Sequence, residues 1–289
     1  MEFLSPRSWS DALAARAEHP DAVPIAGGTD VMVELNFDRH RPGALIDLTR
    51  VDDLRDWSVT DEDWTRLGAG VTYSRVMAEL ADRAPGLAMA SRTVGSPQIR
   101  ARGTVGGNLG SASPAGDCHP VLIAIGARVE VESAARGSRT IPADEFFLGV
   151  KKSALQPDEL ISAIHLPPVR GPQQFAKVGT RNAMVIAVTS LGLALDTERQ
   201  TVGVAIGSAA PTPRRAGAAE TYAAEALGGQ WGNGALPDDV LVQFGRLVAE
   251  AASPIDDVRG TADYRRHALQ VLARRALRWA WAGQRGEGA

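Results

Sequence analysis

Cys118 is the only cysteine in 289 residues. A single thiol excludes an internal disulfide, and also an iron–sulfur cluster held by this chain alone, because such clusters need several thiolates. The chain has no run of about 18 apolar residues, so no conventional membrane-spanning helix is expected. Positive charge is not in excess: the net charge of -3 gives no electrostatic footprint for nucleic acid. The N-terminal MEFLSPRSWSDAL lacks a basic segment followed by an apolar one, which argues against a secretory signal and for a cytoplasmic setting. Lysine is scarce, with only Lys151, Lys152 and Lys177. Two nucleotide fingerprints are missing as well. No G-x-G-x-x-G follows a strand in a βαβ unit, and no GxxxxGK[ST] occurs, which excludes a Rossmann site and a P-loop.

What is present suggests two α+β domains, since cores rarely grow past ~250 residues before a chain divides. Ser8 or Ser10 caps a helix through Glu18, Val23–Ala26 reads as a strand, and Thr29 is placed to cap a helix over 30–35. Ala44–Leu48 is an apolar strand, 57–69 a hairpin around 61–63, and Thr72 or Ser74 opens a helix through Asp82. Strands are expected at 128–132, 139–141 and 160–166. Pro167-Pro168-Val169-Arg170-Gly171-Pro172 marks the linker. Beyond it, 174–178, 187–195 and 201–208 form an antiparallel meander, followed by helices near 218–227, 238–252 and 263–281 and a frayed tail, GQRGEGA.

Two glycine pairs punctuate this pattern: Ala26-Gly27-Gly28-Thr29-Asp30, and Thr104-Val105-Gly106-Gly107-Asn108 inside the long stretch GTVGGNLGSASPAGDCHP. Glycine permits positive φ, so successive amides can converge into an anion-binding nest. At the first pair a helix start adds a favourable dipole. Two nests in one domain suit the two phosphates of a dinucleotide; either pair alone also suits a plain turn. Cys118-His119 resembles a metal or nucleophile pair, but adjacent side chains diverge and no third ligand is near. His19, His40, His165 and His267 show no ligand spacing.

The segments PIAGGTDVMVEL (24–35), LIDL (45–48), QIRARGTVGGNLGSASPAGDCHPVLIAIGA (98–127), ADEFF (143–147), DELISAI (158–164) and DVRGTADYRR (257–266) resemble the FAD-binding medium subunit of the molybdenum hydroxylases. This group includes xanthine dehydrogenase and carbon monoxide dehydrogenase. The resemblance implies an α+β chain. A vanillyl-alcohol oxidase/p-cresol methylhydroxylase-type FAD-binding domain would occupy 1–170, in subdomains of about 1–55 and 56–170. The carbon monoxide dehydrogenase flavoprotein-like C-terminal domain, an antiparallel sheet with helices, would occupy 171–289.

Carried over residue by residue, the resemblance assigns FAD binding to Ala26, Gly27, Gly28, Thr29 and Asp30 through amides and the Thr hydroxyl. Thr104, Val105, Gly106, Gly107 and Asn108 would grip the same phosphates from the other side. Asp117, Ile161 and Lys177 would complete the site. Asp117 also reads as a helix N-cap, Ile161 as core, and Lys177 as a solvated strand lysine. Val94 stands where some relatives place an aromatic against the flavin. Neither glycine loop contains histidine, so the FAD is expected to be non-covalent.

The resemblance further implies no catalytic side chain and no metal on this chain. Electrons would come from [2Fe-2S] clusters on a small subunit, while a molybdenum-pterin large subunit hydroxylates an aromatic N-heterocycle such as a purine. Oxygen, NAD or a quinone would be the acceptor, and a dimer of heterotrimers the assembly. Gln98-Ile99-Arg100 is the expected surface toward the small subunit. The alternative is a self-contained FAD-dependent oxidase or reductase of the same fold.

Overall fold

The computed structural model describes residues 1–229, 231 and 234–285. The first unit is a three-stranded parallel sheet in the order β1-β3-β2, from β1 (Glu2–Leu4), β2 (Val23–Ile25) and β3 (Ala44–Asp47). Helix α1 (Trp9–Glu18) and helix α2 (Val31–Asn36) make the connections. Ser8 caps α1 by accepting from the Asp11 amide at 3.1 Å. The expected Thr29 cap is not formed: Asp30 holds the cap position of α2 and its side chain makes no cap bond.

A second unit follows. Its antiparallel sheet has the order β4-β5-β10-β6-β7. The hairpin β4 (Trp57–Val59) and β5 (Thr65–Gly68) leads into four helices. These are α3 (Tyr73–Glu79), α4 (Pro85–Thr93), α5 (Pro97–Arg102) and α6 (Val105–Ser111), with α7 (Cys118–Ala124) beyond a short loop. The chain returns through β6 (Arg128–Ser133), β7 (Gly137–Pro142), a small hairpin of β8 (Phe147–Gly149) and β9 (Lys152–Ser153), and β10 (Leu160–Leu166). Alternation sorts the strands: Leu67, Val129, Val131 and Ile164 face the helices and are buried. They form one core with Leu87, Leu109, Leu122 and Phe146.

After the linker, β11 (Gln173–Val178), β12 (Thr189–Asp196) and β13 (Thr201–Gly207) form the expected meander, with β14 (Arg214–Arg215) added at its edge. Helices α8 (Gly217–Ala226), α9 (Asp238–Glu250) and α10 (Ala262–Gln284) cover one face of this sheet around Leu191, Val204, Phe244 and Leu277. Helix α7 of the preceding unit covers the other, so closely that a Cβ on Gly203 would lie 2.1 Å from the Ala124 carbonyl oxygen. The sheet itself is therefore the common wall: the α7 residues and Ala205 belong to the first core, and Val204 and Ile206 to the second. The tail expectation needs correction, because Gly283 and Gln284 are the last turn of α10; residues 286–289 lie outside the described residues.

Candidate site between the glycine loops

The first loop leaves the parallel sheet directly after the Ile25–Asp47 pairing. Gly28 has a left-handed φ of 76°, as the nest reading requires. Gly27 is pressed against the other loop: a Cβ there would lie 2.0 Å from the Arg102 carbonyl oxygen and 2.9 Å from Gly103 Cα. The two glycine segments are thus in direct backbone contact. The amides of Gly27, Gly28, Thr29 and Asp30 donate to no acceptor among the described residues. Four successive donors of this kind are what an anion site offers. Helix α2 has only six residues, so its dipole adds little.

The second loop is different. Val105 to Ser111 is helix α6, capped by buried Thr104, whose Oγ1 accepts from the Gly107 amide at 2.9 Å. The Val105 amide donates to Val71 O at 3.4 Å, Gly106 to Ala69 O at 3.2 Å and Asn108 to Thr104 O at 3.0 Å. The expected second amide nest is therefore corrected: its donors are spent on the fold, and Gly106 and Gly107 are not among the positive-φ residues. What remains available is the side chain of Asn108, whose Oδ1 is buried without a partner. Ile161 lines the same region, its Cδ1 3.9 Å from where a Cβ on Gly110 would sit.

Helix α6 carries an internal control. A Cβ on Gly106 would meet Ala69 Cβ at 2.5 Å and Ala69 O at 2.6 Å, whereas one on Gly110 meets only Ile161. Gly110→Ala should stabilise the cofactor-free chain by about 0.5–1 kcal/mol through helix propensity. Gly106→Ala should destabilise it by about 1–3 kcal/mol through overpacking. Urea melts of the two variants are expected to move in opposite directions.

Asp117 and Lys177 meet across the junction of the two units. Lys177 Nζ donates to Asp117 Oδ2 at 2.6 Å and to Thr93 O at 3.1 Å, and Thr93 Oγ1 donates to the same carboxylate oxygen at 3.0 Å. Both side chains are 8% exposed, so Lys177 is not a solvated strand lysine. Asp117 is not a side-chain N-cap either, for its backbone is already helical and its carboxylate makes no cap bond. Burial pushes the Asp117 carboxyl up, and the Lys177 ammonium and Thr93 hydroxyl pull it only partly back. Asp117 Oδ1 is buried with no partner.

Cys118 and His119 face the core. Burial, then the charge of Asp117, holds the Cys118 thiol well above its usual range, which removes the thiolate a nucleophile needs. No group of three or more His, Cys, Asp or Glu among the described residues is placed to hold a metal. The His119 ring lies 4.5 Å from Phe147, its Nε2 is 3.1 Å from Asn108 O, and burial draws its pKa down to about 4. A histidine with a depressed folded pKa stabilises fully above its unfolded value near 6.5 and loses that contribution as pH falls toward 4. His119→Gln should therefore remove about 3 kcal/mol of acid sensitivity between pH 6.5 and 4. Urea melts at pH 7 and 4.5 check it.

Arg100 is committed to its own turn, donating from Nη1 to Val94 O at 3.1 Å and Gly95 O at 2.9 Å. Gln98 beside it is exposed.

The assembled site offers an amide cradle with no room for a Cβ at Gly27, two orphaned buried acceptors on Asn108 and Asp117, and a buried ammonium at Lys177. These residues fit an anionic dinucleotide bearing a hydrogen-bond-donating ring. They include no acid–base or nucleophilic constellation.

Residues 1–169 match the family described as the FAD binding domain in molybdopterin dehydrogenase, and residues 174–280 the CO dehydrogenase flavoprotein C-terminal domain. The nicotine 6-hydroxylase medium subunit of Paenarthrobacter nicotinovorans is 31% identical, with 96% of each chain covered. The caffeine dehydrogenase subunit beta of Pseudomonas sp. (strain CBB1) is 33% identical over 96% of this chain and 93% of its own. Among solved structures, carbon monoxide dehydrogenase from Hydrogenophaga pseudoflava, in a form lacking the Mo-pyranopterin moiety, matches with a TM-score of 0.88 and 28% identity. That match covers 98% of this chain and 97% of the other. The chain belongs to the FAD-binding medium subunits of the molybdenum hydroxylases, the flavoprotein components of xanthine and carbon monoxide dehydrogenase-type oxidoreductases.

Proposed function

We propose that the amides of Gly27 to Asp30 and the Thr29 hydroxyl hold the FAD pyrophosphate, with Ala26 and the Thr104–Asn108 segment closing over it. The observation that carries this reading is the run of four uncommitted amides pressed against the second loop at Gly27. Thr104, Val105, Gly106 and Gly107 act by shape, keeping α6 close, and Asn108 supplies an acceptor. Asp117 Oδ1 accepts from the ring system, Ile161 gives it an apolar wall, and the Lys177 ammonium offsets negative charge on it. When bound, FAD supplies one- and two-electron redox chemistry, and the protein orients it and tunes its electronics.

In this role the chain takes electrons from [2Fe-2S] clusters of a small subunit and passes them to oxygen, NAD or a quinone. A molybdenum-pterin large subunit hydroxylates the organic substrate. Relatives named for nicotine, caffeine and xanthine favour an aromatic N-heterocycle such as a purine. Gln98, exposed at the start of α5, is part of the face turned to the small subunit. A cytoplasmic dimer of heterotrimers is the proposed assembly; no helix among the described residues is long and apolar enough to cross a membrane.

The test is co-expression with both partner subunits. A three-subunit complex whose flavin is bleached only when substrate and both partners are present is the expected result. A chain that purifies alone, yellow, and oxidises an organic substrate unaided would establish the self-contained oxidase or reductase instead.

A further inference from the structure

Arg265, on the first turn of α10, is a buried cation that is not among the proposed cofactor contacts. Its side chain is 5% exposed and pairs with Asp257, Nη2 donating to Oδ1 at 2.5 Å. Nη1 donates to two backbone carbonyls, Val188 at 2.9 Å and Ser208 at 2.7 Å. A guanidinium suits this task because its planar fork addresses several acceptors in fixed directions.

Both carbonyls lie one step from the proposed site. Val188 returns its amide to Val178 O at 2.8 Å, closing the end of the β11–β12 hairpin next to Lys177. Two residues on, Ser190 is the cross-strand partner of Lys177. Ser208 adopts a left-handed φ of 56°, and its amide donates to Pro114 O at 2.8 Å, in the loop that leads to Asp117. Through Val188 and Ser208 as intermediaries, one side chain thus links the strand carrying Lys177 and the loop leading to Asp117 to the same point. On the far side it is fixed by the 257–260 turn, where the Arg259 amide donates to Asp257 Oδ1 at 2.8 Å and Asp257 and Gly260 pair reciprocally.

We infer that Arg265 is a positioning residue for the flavin: through Val188 and Ser208 it sets the approach of Lys177 to Asp117, and so the fit and electronic environment of the ring. Asp257 holds Arg265 in that orientation. The inference rests on the assignment of Asp117 and Lys177 to the FAD site.

The test uses the full-length chain as Arg265→Met, Arg265→Lys and Asp257→Asn, each measured well below its own melting temperature. FAD affinity is read by fluorescence titration, and ring environment by the visible absorbance and circular dichroism of the bound flavin. Arg265→Met is expected to weaken FAD binding at least tenfold and alter the visible spectrum. Arg265→Lys should recover part of both, and Asp257→Asn should move both in the same direction by less. If Arg265→Met does not fold, the other two variants carry the test. Affinities within twofold of wild type and unchanged flavin spectra in every folded variant overturn the inference while leaving the FAD site standing. A wild-type chain that takes up no FAD overturns both.

Discussion

Gly27→Ala is expected to reduce FAD affinity by at least about 100-fold, equivalent to roughly 2.7 kcal/mol. The new methyl would occupy space 2.0 Å from the Arg102 carbonyl oxygen, and that neighbour is backbone, which cannot swing aside as a flexible side chain can. Either the first loop moves outward, carrying its four amides with it, or the end of α5 moves and drags Thr104. Both responses open the cradle. Stability should also fall, by about 1–3 kcal/mol, as for other overpacked sites. Equilibrium titration with FAD and urea melting separate the two effects. An affinity within threefold of wild type would mean that the contact between the loops does not shape the cofactor site.

The second large effect concerns the pair across the junction. Lys177→Met leaves the Asp117 carboxylate buried without its counter-charge, and the chain should lose about 3–5 kcal/mol of stability. The remaining carboxyl, already raised by burial, would be driven further toward its neutral form. Lys177→Met combined with Asp117→Asn removes both charges, and much of the lost stability should return, because a buried pair gains little net energy over a neutral replacement. FAD affinity should not return. That split between recovered stability and unrecovered affinity separates a cofactor-facing pair from a purely structural strut. Recovery of both in the double variant would assign the pair to packing alone.

Much of this was legible in the residues. Alternation in Val129, Val131 and Ile141 announced their strands, and Ser8 its helix. The AGGTD loop was legible because Gly27 and Gly28 end a strand where nothing else would stop it. Helix α6 was not. Gly106, Gly107 and Gly110 are poor helix formers, and what holds them helical is tertiary: Ala69 tolerates no side chain at Gly106, and Thr104 caps the first turn. Gly106, one of the pair that suggested a nest, is glycine because the backbone of Ala69 lies against it. The Asp117–Lys177 pair was also hidden as a pair. Each residue could be singled out, but no local pattern links positions sixty apart, and the backbone of Asp117 is already helical where α7 begins to pack on the β12–β13 meander. Arg265 lies in the segment 257–266 that carries part of the resemblance, but nothing local in that segment marks it as buried.

The most direct measurement is amide hydrogen exchange of the full-length chain with and without saturating FAD. The four amides from Gly27 to Asp30, which have no acceptor among the described residues, should exchange fast in the cofactor-free chain and become strongly protected when FAD is added. Those of Val105 to Asn108, already bonded within the fold, should be protected in both states. Unchanged fast exchange at Gly27 to Asp30 under saturating FAD would contradict the account at its centre.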